Sequence, residues 1–297
     1  MPRPILERLQ SSRPLLLDGA TGTELSRRGV DLDTPSWTAG AILEAPRVLW
    51  QIHRDYVEAG ADIVTANTFR THARNLAAIG QAARTRELTF RAVEIARDAA
   101  GKTAYVAGSM APLEDCYSPQ NTPESDSLLA EHLCMAENLA AAKVDFILVE
   151  TQLTIREGTI AARAASATGL PFGVSFVCNA AGQLLSGESL LNAYLAIAPL
   201  QPALFLVNCV PVEEVLTDLA PLRAQTVQIP LGAYANTGRL LANGSWEATK
   251  GELPAVYAEF VEQWKQADMK AFGGCCGTTP EHISYIYKRL YESNKEL

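Results

Sequence analysis

The stretch Phe146-Ile147-Leu148-Val149-Glu150-Thr151 is an unbroken apolar run that ends on a carboxylate and a hydroxyl, and helical spacing follows it over residues 155–168. An apolar run without polar alternation reads as a strand covered on both faces, as in a parallel sheet flanked by helices. The same unit recurs in both directions along the chain. Upstream are apolar runs at 14–19, 62–68 and 104–109; downstream they lie at 172–177, 204–209, 229–236 and 270–274. Helical patterns separate them at 41–59 (stopped by Gly60), 71–78, 81–100, 125–142, 190–198, 212–223 and 254–266, and a last helix starts near Pro280. Eight such units in 297 residues predict an α/β fold of the (β/α)8 TIM-barrel type, a fold that typically needs roughly 250 residues. One domain spans residues 1–297 in this reading, and an open doubly wound sheet is the lesser alternative.

Composition narrows the function. Hydrophobic residues make up 48% of the chain and charged residues 20%, enough for a large core, while the formal charge of −8 argues against nucleic acid or an anionic membrane as partner. No apolar run approaches the ~20 residues of a membrane span. The start, Met1-Pro2-Arg3-Pro4, leads into a charged amphipathic stretch and not an apolar signal core. The expected setting is cytoplasmic, and the expected partners are small molecules.

In a (β/α)8 barrel the active site forms at the C-terminal ends of the strands. The unusual residues fall there: Asp18-Gly19-Ala20-Thr21-Gly22-Thr23 after the first strand, Asn67 after the second, Glu150 after the fourth, Asn208-Cys209 after the sixth, Asn236 after the seventh. The eighth ends in Gly273-Gly274-Cys275-Cys276-Gly277-Thr278-Thr279-Pro280. Neighbouring cysteines cannot pair without forcing the intervening peptide out of its normal geometry. Of the six cysteines (116, 134, 178, 209, 275 and 276), a clustered subset in a chain without a secretory signal points to a metal or to catalysis. Cys209, Cys275 and Cys276 meeting at the mouth match a zinc site with three protein ligands and one open corner. A thiol substrate in that corner is deprotonated at neutral pH, although free thiols titrate near 8.5. Asp18 and Glu150 suit an ammonium group, and backbone N–H groups of Gly19, Ala20 and Thr23 suit a carboxylate. Cys178 is a competing thiol near the end of the fifth strand.

The segments 17–25, 66–69, 106–109, 149–151, 207–209 and 273–280, in that order, resemble the homocysteine S-methyltransferase family. The resemblance implies a (β/α)8 barrel, zinc on Cys209, Cys275 and Cys276 in preference to Cys178, and homocysteine as methyl acceptor with methionine as product. It places Asp18, Gly19, Ala20, Thr23, Glu150 and Asn208 around homocysteine. Cys116 and Cys134, by themselves, read as structural or incidental. The donor is less determined. S-methylmethionine-type members commonly carry Arg after the paired cysteines, where this chain has Gly277, and Tyr-Pro-Asn after the seventh strand is here Tyr234-Ala235-Asn236. A donor bound directly would meet Trp37, Asn67, Phe69, Tyr117 and Asn236, with His72 a lesser candidate. The expected donor is a sulfonium, S-methylmethionine or S-adenosylmethionine. The alternatives are a betaine-type donor, or a non-catalytic zinc–thiolate protein that binds homocysteine.

Overall fold

The computed structural model describes residues 4–225, 228–241 and 245–292; residues 1–3 of the expected amphipathic start lie outside them. Eight parallel strands form one sheet: β1 (Leu15–Leu16), β2 (Ile63–Ala66), β3 (Tyr105–Met110), β4 (Phe146–Gln152), β5 (Phe172–Phe176), β6 (Leu204–Pro211), β7 (Leu231–Asn236) and β8 (Ala271–Gly274). The sheet runs in the order β1-β8-β7-β6-β5-β4-β3-β2. Its two ends meet through a parallel bridge between Leu17 and Ile63, so the sheet closes on itself.

Alternation along the strands builds two apolar layers. Leu15, Leu17, Ile63, Tyr105, Ala107, Phe146, Leu148, Leu204 and Leu206 form one buried cluster, with Ile5 of the short opening helix packed into it. Their neighbours Leu16, Val64, Val106, Ile147, Val149, Phe205 and Val207 belong to the larger cluster shared with the helices. The first set fills the barrel and the second faces the helical ring. Thus the apolar run that opened the analysis is buried on both faces, for the reason its lack of alternation implies.

The structure departs from the expected elements where proline acts. The helix expected over 41–59 is split into Ala41–Glu44 and Pro46–Glu58, because Pro46 brings no N–H and Ala45 before it is forced out of helical geometry (φ −135°, ψ 44°). The stretch 212–223 likewise yields two short helices, Val215–Asp218 and Ala220–Arg223, the second with proline in its first turn. An antiparallel hairpin, Gly238–Leu240 with Trp246–Ala248, follows β7 where the sequence reading has a connection. Among the described residues no helix is long and apolar enough to cross a membrane.

The closing seam is short, and one side chain secures it. Asp62 accepts the Leu16 N–H (2.9 Å), Arg8 (2.7 Å) and Arg13 (3.1 Å), while its own N–H donates to the Leu16 carbonyl (2.7 Å). Both Asp62 and Arg8 side chains are only 14% exposed, so solvent does not replace these bonds freely. Asp62→Ala is expected to lower stability by about 2 kcal/mol, since charge-assisted bonds are stronger than neutral ones and a β1 amide loses its partner. Urea unfolding checks this; an unchanged midpoint would show that the seam holds without Asp62.

Candidate functional site

β7 lies between β6 and β8, so the ends of β6 and β8 are one strand apart. Cys209 comes late on β6, where the pairing with β7 slips between Asn208 and Pro211. Its φ of 54° lies in the left-handed region, unusual for a residue with a Cβ and typical of strained functional positions. The bulge interrupts the strand alternation and re-aims the side chain. Cys209 Sγ comes 3.0 Å from Cys275 Sγ, and all three sulfurs of Cys209, Cys275 and Cys276 lie within 4.8 Å of one another. Hydrogen bonds from Cys209 and Cys275 hold the Cys276 thiol well below the ordinary range. The same contacts, with Cys275 and then Cys276, push Cys209 up, and burial adds to the rise.

The turn that carries the cysteine pair is held by backbone. Cys275 N–H donates to the Ala235 carbonyl (2.7 Å) and Cys276 N–H to Asn236 Oδ1 (3.0 Å). Thr278 Oγ1 donates to the Cys275 carbonyl (2.7 Å). Gly277 has φ 85°, and a Cβ there would overlap Thr237 Oγ1; its N–H donates to Thr23 Oγ1 (3.1 Å). That position takes glycine for conformation and for space.

The sulfurs open onto a cavity of about 400 Å³. Asp18 and Glu150 line it, buried, and each is anchored from other strands, Glu150 in part from across the barrel. Asp18 accepts the Thr65 N–H (2.7 Å) and hydroxyl (3.0 Å). Glu150 accepts from Tyr234 OH (3.1 Å) and from Ser109 Oγ. Burial pushes both carboxyls up to about 7, and the charge of Glu150 adds to the rise at Asp18. Ser175 Oγ stands 2.6 Å from Tyr234 OH and donates to Asn208 Oδ1 (2.8 Å), and Asn208 Nδ2 donates to Thr151 Oγ1 (2.9 Å). Thr151 is a second left-handed residue (φ 61°) at a second bulge, between Val149 and Gln152. On the loops, Trp37 and Phe69 meet edge to face at 5.7 Å, and with Asn67, Arg70, Asp115, Cys116 and Tyr117 they complete the wall.

The profile of the homocysteine S-methyltransferase family matches residues 15–290. The chain is 30% identical to the homocysteine S-methyltransferase of Escherichia coli strain K12, over 96% of this chain and 98% of that one. It is 26% identical to the selenocysteine methyltransferase of Astragalus bisulcatus, over 95% and 94%. A crystal structure of the homocysteine methyltransferase MmuM from Escherichia coli, in a metallated form, superposes with a TM-score of 0.84 at 28% identity, covering 97% of this chain and all of that one. The chain belongs to the homocysteine S-methyltransferase family.

Within this family member, the residues singled out from the sequence take different places. Cys209, Cys275, Cys276, Asp18, Gly19, Ala20, Thr23, Glu150, Trp37, Asn67, Phe69 and Tyr117 line the one cavity. The N–H of Ala20 is already engaged, donating to Thr278 Oγ1 (3.1 Å). Asn208 and Asn236 do not line the cavity. Asn208 is fully buried and braces Thr151 and Ser175, and Asn236 holds the Cys276 amide. His72 is buried against His132, ring centroids 5.8 Å apart, away from the cavity wall. Cys178 is buried elsewhere, near Asp218. Cys116, read from the sequence as structural or incidental, lines the cavity. Thr65, Ser109, Ser175 and Tyr234 received no role in the sequence reading, although alternation along each strand points to them. Ile63, Ala107, Gly173 and Gly232 precede them by two residues on the same faces.

Gly277→Ala is expected to destabilise the turn by about 2 kcal/mol or more, because the substitution meets both a left-handed φ and an occupied space. Thermal unfolding reads the loss. A variant as stable as the parent would mean the turn relaxes without Thr237 moving.

Proposed function

We propose that the protein transfers a methyl group from a sulfonium donor, S-methylmethionine or S-adenosylmethionine, to homocysteine, giving methionine. The observation that carries this reading is the convergence of three sulfurs, with no carboxylate among them, beside two buried carboxylates in one cavity. Such a donor set fits zinc: with Zn–S near 2.3 Å, tetrahedral thiolates stand roughly 3.8 Å apart, inside the spread found here. Zinc held by Cys209, Cys275 and Cys276 would supply a fourth position at which a substrate thiol is kept as thiolate at neutral pH.

The chain's own residues do the rest. Asp18 and Glu150 bind the acceptor's ammonium, oriented by Thr65, Ser109 and Tyr234. The segment after β1, which turns into a helix at Thr21–Arg27, offers the first-turn backbone N–H groups of Thr21–Thr23 to its carboxylate, the Ala20 amide being engaged by Thr278. Trp37, Phe69 and Tyr117 form an aromatic wall suited to a positively charged methyl donor, since aromatic faces attract such cations. In the transfer, the acceptor sulfur attacks the donor methyl in line. The new S–C bond forms as the old C–S bond breaks, and the donor leaves as a neutral thioether. With the acceptor already a thiolate, the step needs no general base. The six free cysteines suit a reducing, cytoplasmic setting. A betaine-type donor is the second reading: the same aromatic wall accepts a quaternary ammonium, and Gly277 stands where S-methylmethionine-type members commonly carry Arg.

Purified protein is expected to hold about one zinc per chain. Cys276→Ala should lose that metal and at least ~1,000-fold in methionine formation, because removing one of three protein ligands opens the site. Metal analysis and a panel of S-methylmethionine, S-adenosylmethionine and glycine betaine check this together. Full activity in the zinc-free variant would end the zinc reading. Homocysteine binding without turnover on any donor would favour a non-catalytic protein.

The carboxyls make a separate prediction. Raised to about 7, they are ionised above that pH and protonated below it, so affinity for an ammonium must fall as pH drops. Homocysteine binding to the zinc-loaded protein is expected to weaken at least about tenfold from pH 8 to pH 6 relative to 4-mercaptobutanoate, which lacks the amine. Calorimetric titration of both ligands measures this ratio, and parallel pH profiles would remove Asp18 and Glu150 from the ammonium site.

A further inference from the structure

Among the described residues that line the cavity, Arg70 is the only lysine or arginine. Most arginines at the surface have a carboxylate partner, yet among the described residues no carboxylate comes within 4.0 Å of this guanidinium. Its bonds are to the Glu114 carbonyl (2.9 Å) and, at 3.9 Å, to Cys116 Sγ. Burial pushes the Cys116 thiol up to about 11, so the sulfur beside Arg70 is neutral near pH 7. Asp115, the acidic neighbour on the wall, is turned to its own loop, where it accepts the Tyr117 N–H (3.1 Å) and the Ser118 hydroxyl (2.6 Å). The guanidinium lies 5.1 Å from the Phe69 ring centroid, and Phe69 in turn abuts Trp37. The cavity therefore holds an unneutralised, half-buried cation fixed beside aromatic rings, on loops above the strand-level carboxylates.

We propose that Arg70 binds the carboxylate of the methyl donor, so that the enzyme takes a zwitterionic donor carrying both an onium methyl and an acid group. The inference rests on the methyltransferase reading and adds the donor's second recognition element. The two charge poles of the cavity divide the work. Asp18 and Glu150, bonded to Thr65, Ser109 and Tyr234 of the strands, address the acceptor's amine. Arg70, bonded to the loop after β3, addresses the donor's acid while the adjacent rings face its cationic centre. A planar guanidinium matches a carboxylate with two parallel bonds, which a lysine cannot reproduce.

The test compares zinc-loaded wild type, Arg70→Gln and Arg70→Lys, each checked for an unchanged melting curve. Donors are used in pairs that differ in the acid: S-methylmethionine against 3-aminopropyl-dimethylsulfonium, and glycine betaine against choline. Arg70→Gln is expected to raise KM for the acid donor about 10- to 100-fold. KM for homocysteine should stay within about twofold and the acid-free donor should be unaffected, with Arg70→Lys intermediate. An unchanged donor KM, a rise in homocysteine KM instead, or a wild-type preference for the acid-free donor overturns the assignment while leaving the methyltransferase standing. If no donor is turned over, the methyltransferase reading fails. Calorimetric titration of S-methylmethionine and glycine betaine then decides Arg70 by itself: binding weakened in Arg70→Gln supports it, and equal or absent binding in the two proteins overturns it.

Discussion

Three sulfurs from strands that are not neighbours must meet within 4.8 Å, and much of the barrel's upper rim is arranged around that requirement. β6 would carry Cys209 past the site if its alternation continued. The left-handed turn at Cys209 breaks the alternation, and Pro211 re-enters the ladder opposite Asn236. From the other side, the end of β8 must approach β1 and β7 closely, so small residues occupy it. A Cβ at Gly273 would stand 2.8 Å from that of Leu17. Tyr257, from the helix Pro254–Gln266, fixes the two strands in register: its hydroxyl accepts the Ala235 N–H (3.1 Å) and donates to the Gly273 carbonyl (2.8 Å). Backbone strain at one cysteine and steric poverty at the other two are the two halves of one device.

Below the sulfurs, the barrel interior changes character by layer. The lower inward positions are apolar, and the uppermost ones are Thr65, Ser109, Glu150, Ser175, Asn208 and Tyr234. Thr65 bonds Asp18 and the other five bond one another, which is the condition for burying polar groups at tolerable cost. Asp18 and Glu150 have no cationic partner within 4.0 Å among the described residues. Their folded-state pKa values of about 7 exceed the ordinary carboxylate values near 4. The fold therefore gives up stability as pH rises between those limits. Two buried carboxyls without a counter-charge are a cost that the fold carries at neutral pH.

The loops above this layer have firm foundations of their own. Glu157 Oε1 accepts the Leu113 N–H (2.8 Å) and lies 3.2 Å from His132 Nε2, and His132 packs against His72, which follows the Phe69-Arg70 segment. Thr68 Oγ1 donates to the Ser109 carbonyl (2.8 Å), tying the loop after β2 to β3. Trp37 and Tyr117 stay 38% and 40% exposed. The aromatic wall is thus placed by buried contacts yet left open to solvent, while the carboxylates Asp18 and Glu150 are enclosed.

What the sequence alone determined was the fold and the three cysteines that the structure brings together. Apolar runs such as Phe146–Val149 state their two-sided burial locally, and eight of them in succession leave few ways to pack. The paired cysteines and the Asn208-Cys209 segment identified the family from a handful of positions. Prolines at 46 and 221 spoiled helix boundaries, because a period of apolar residues continues through a break that removes a single N–H. Only the tertiary structure decided which polar residues face the cavity. Asn208 and Asn236 look like ligand contacts by position, but each is consumed by a backbone or side-chain partner from another strand. Arg70 and Cys116 carry no sequence mark, and they reach the wall because two loops fold over the rim together. A side chain's partners depend on which strands and loops become neighbours, and the linear sequence states that only after the barrel has closed.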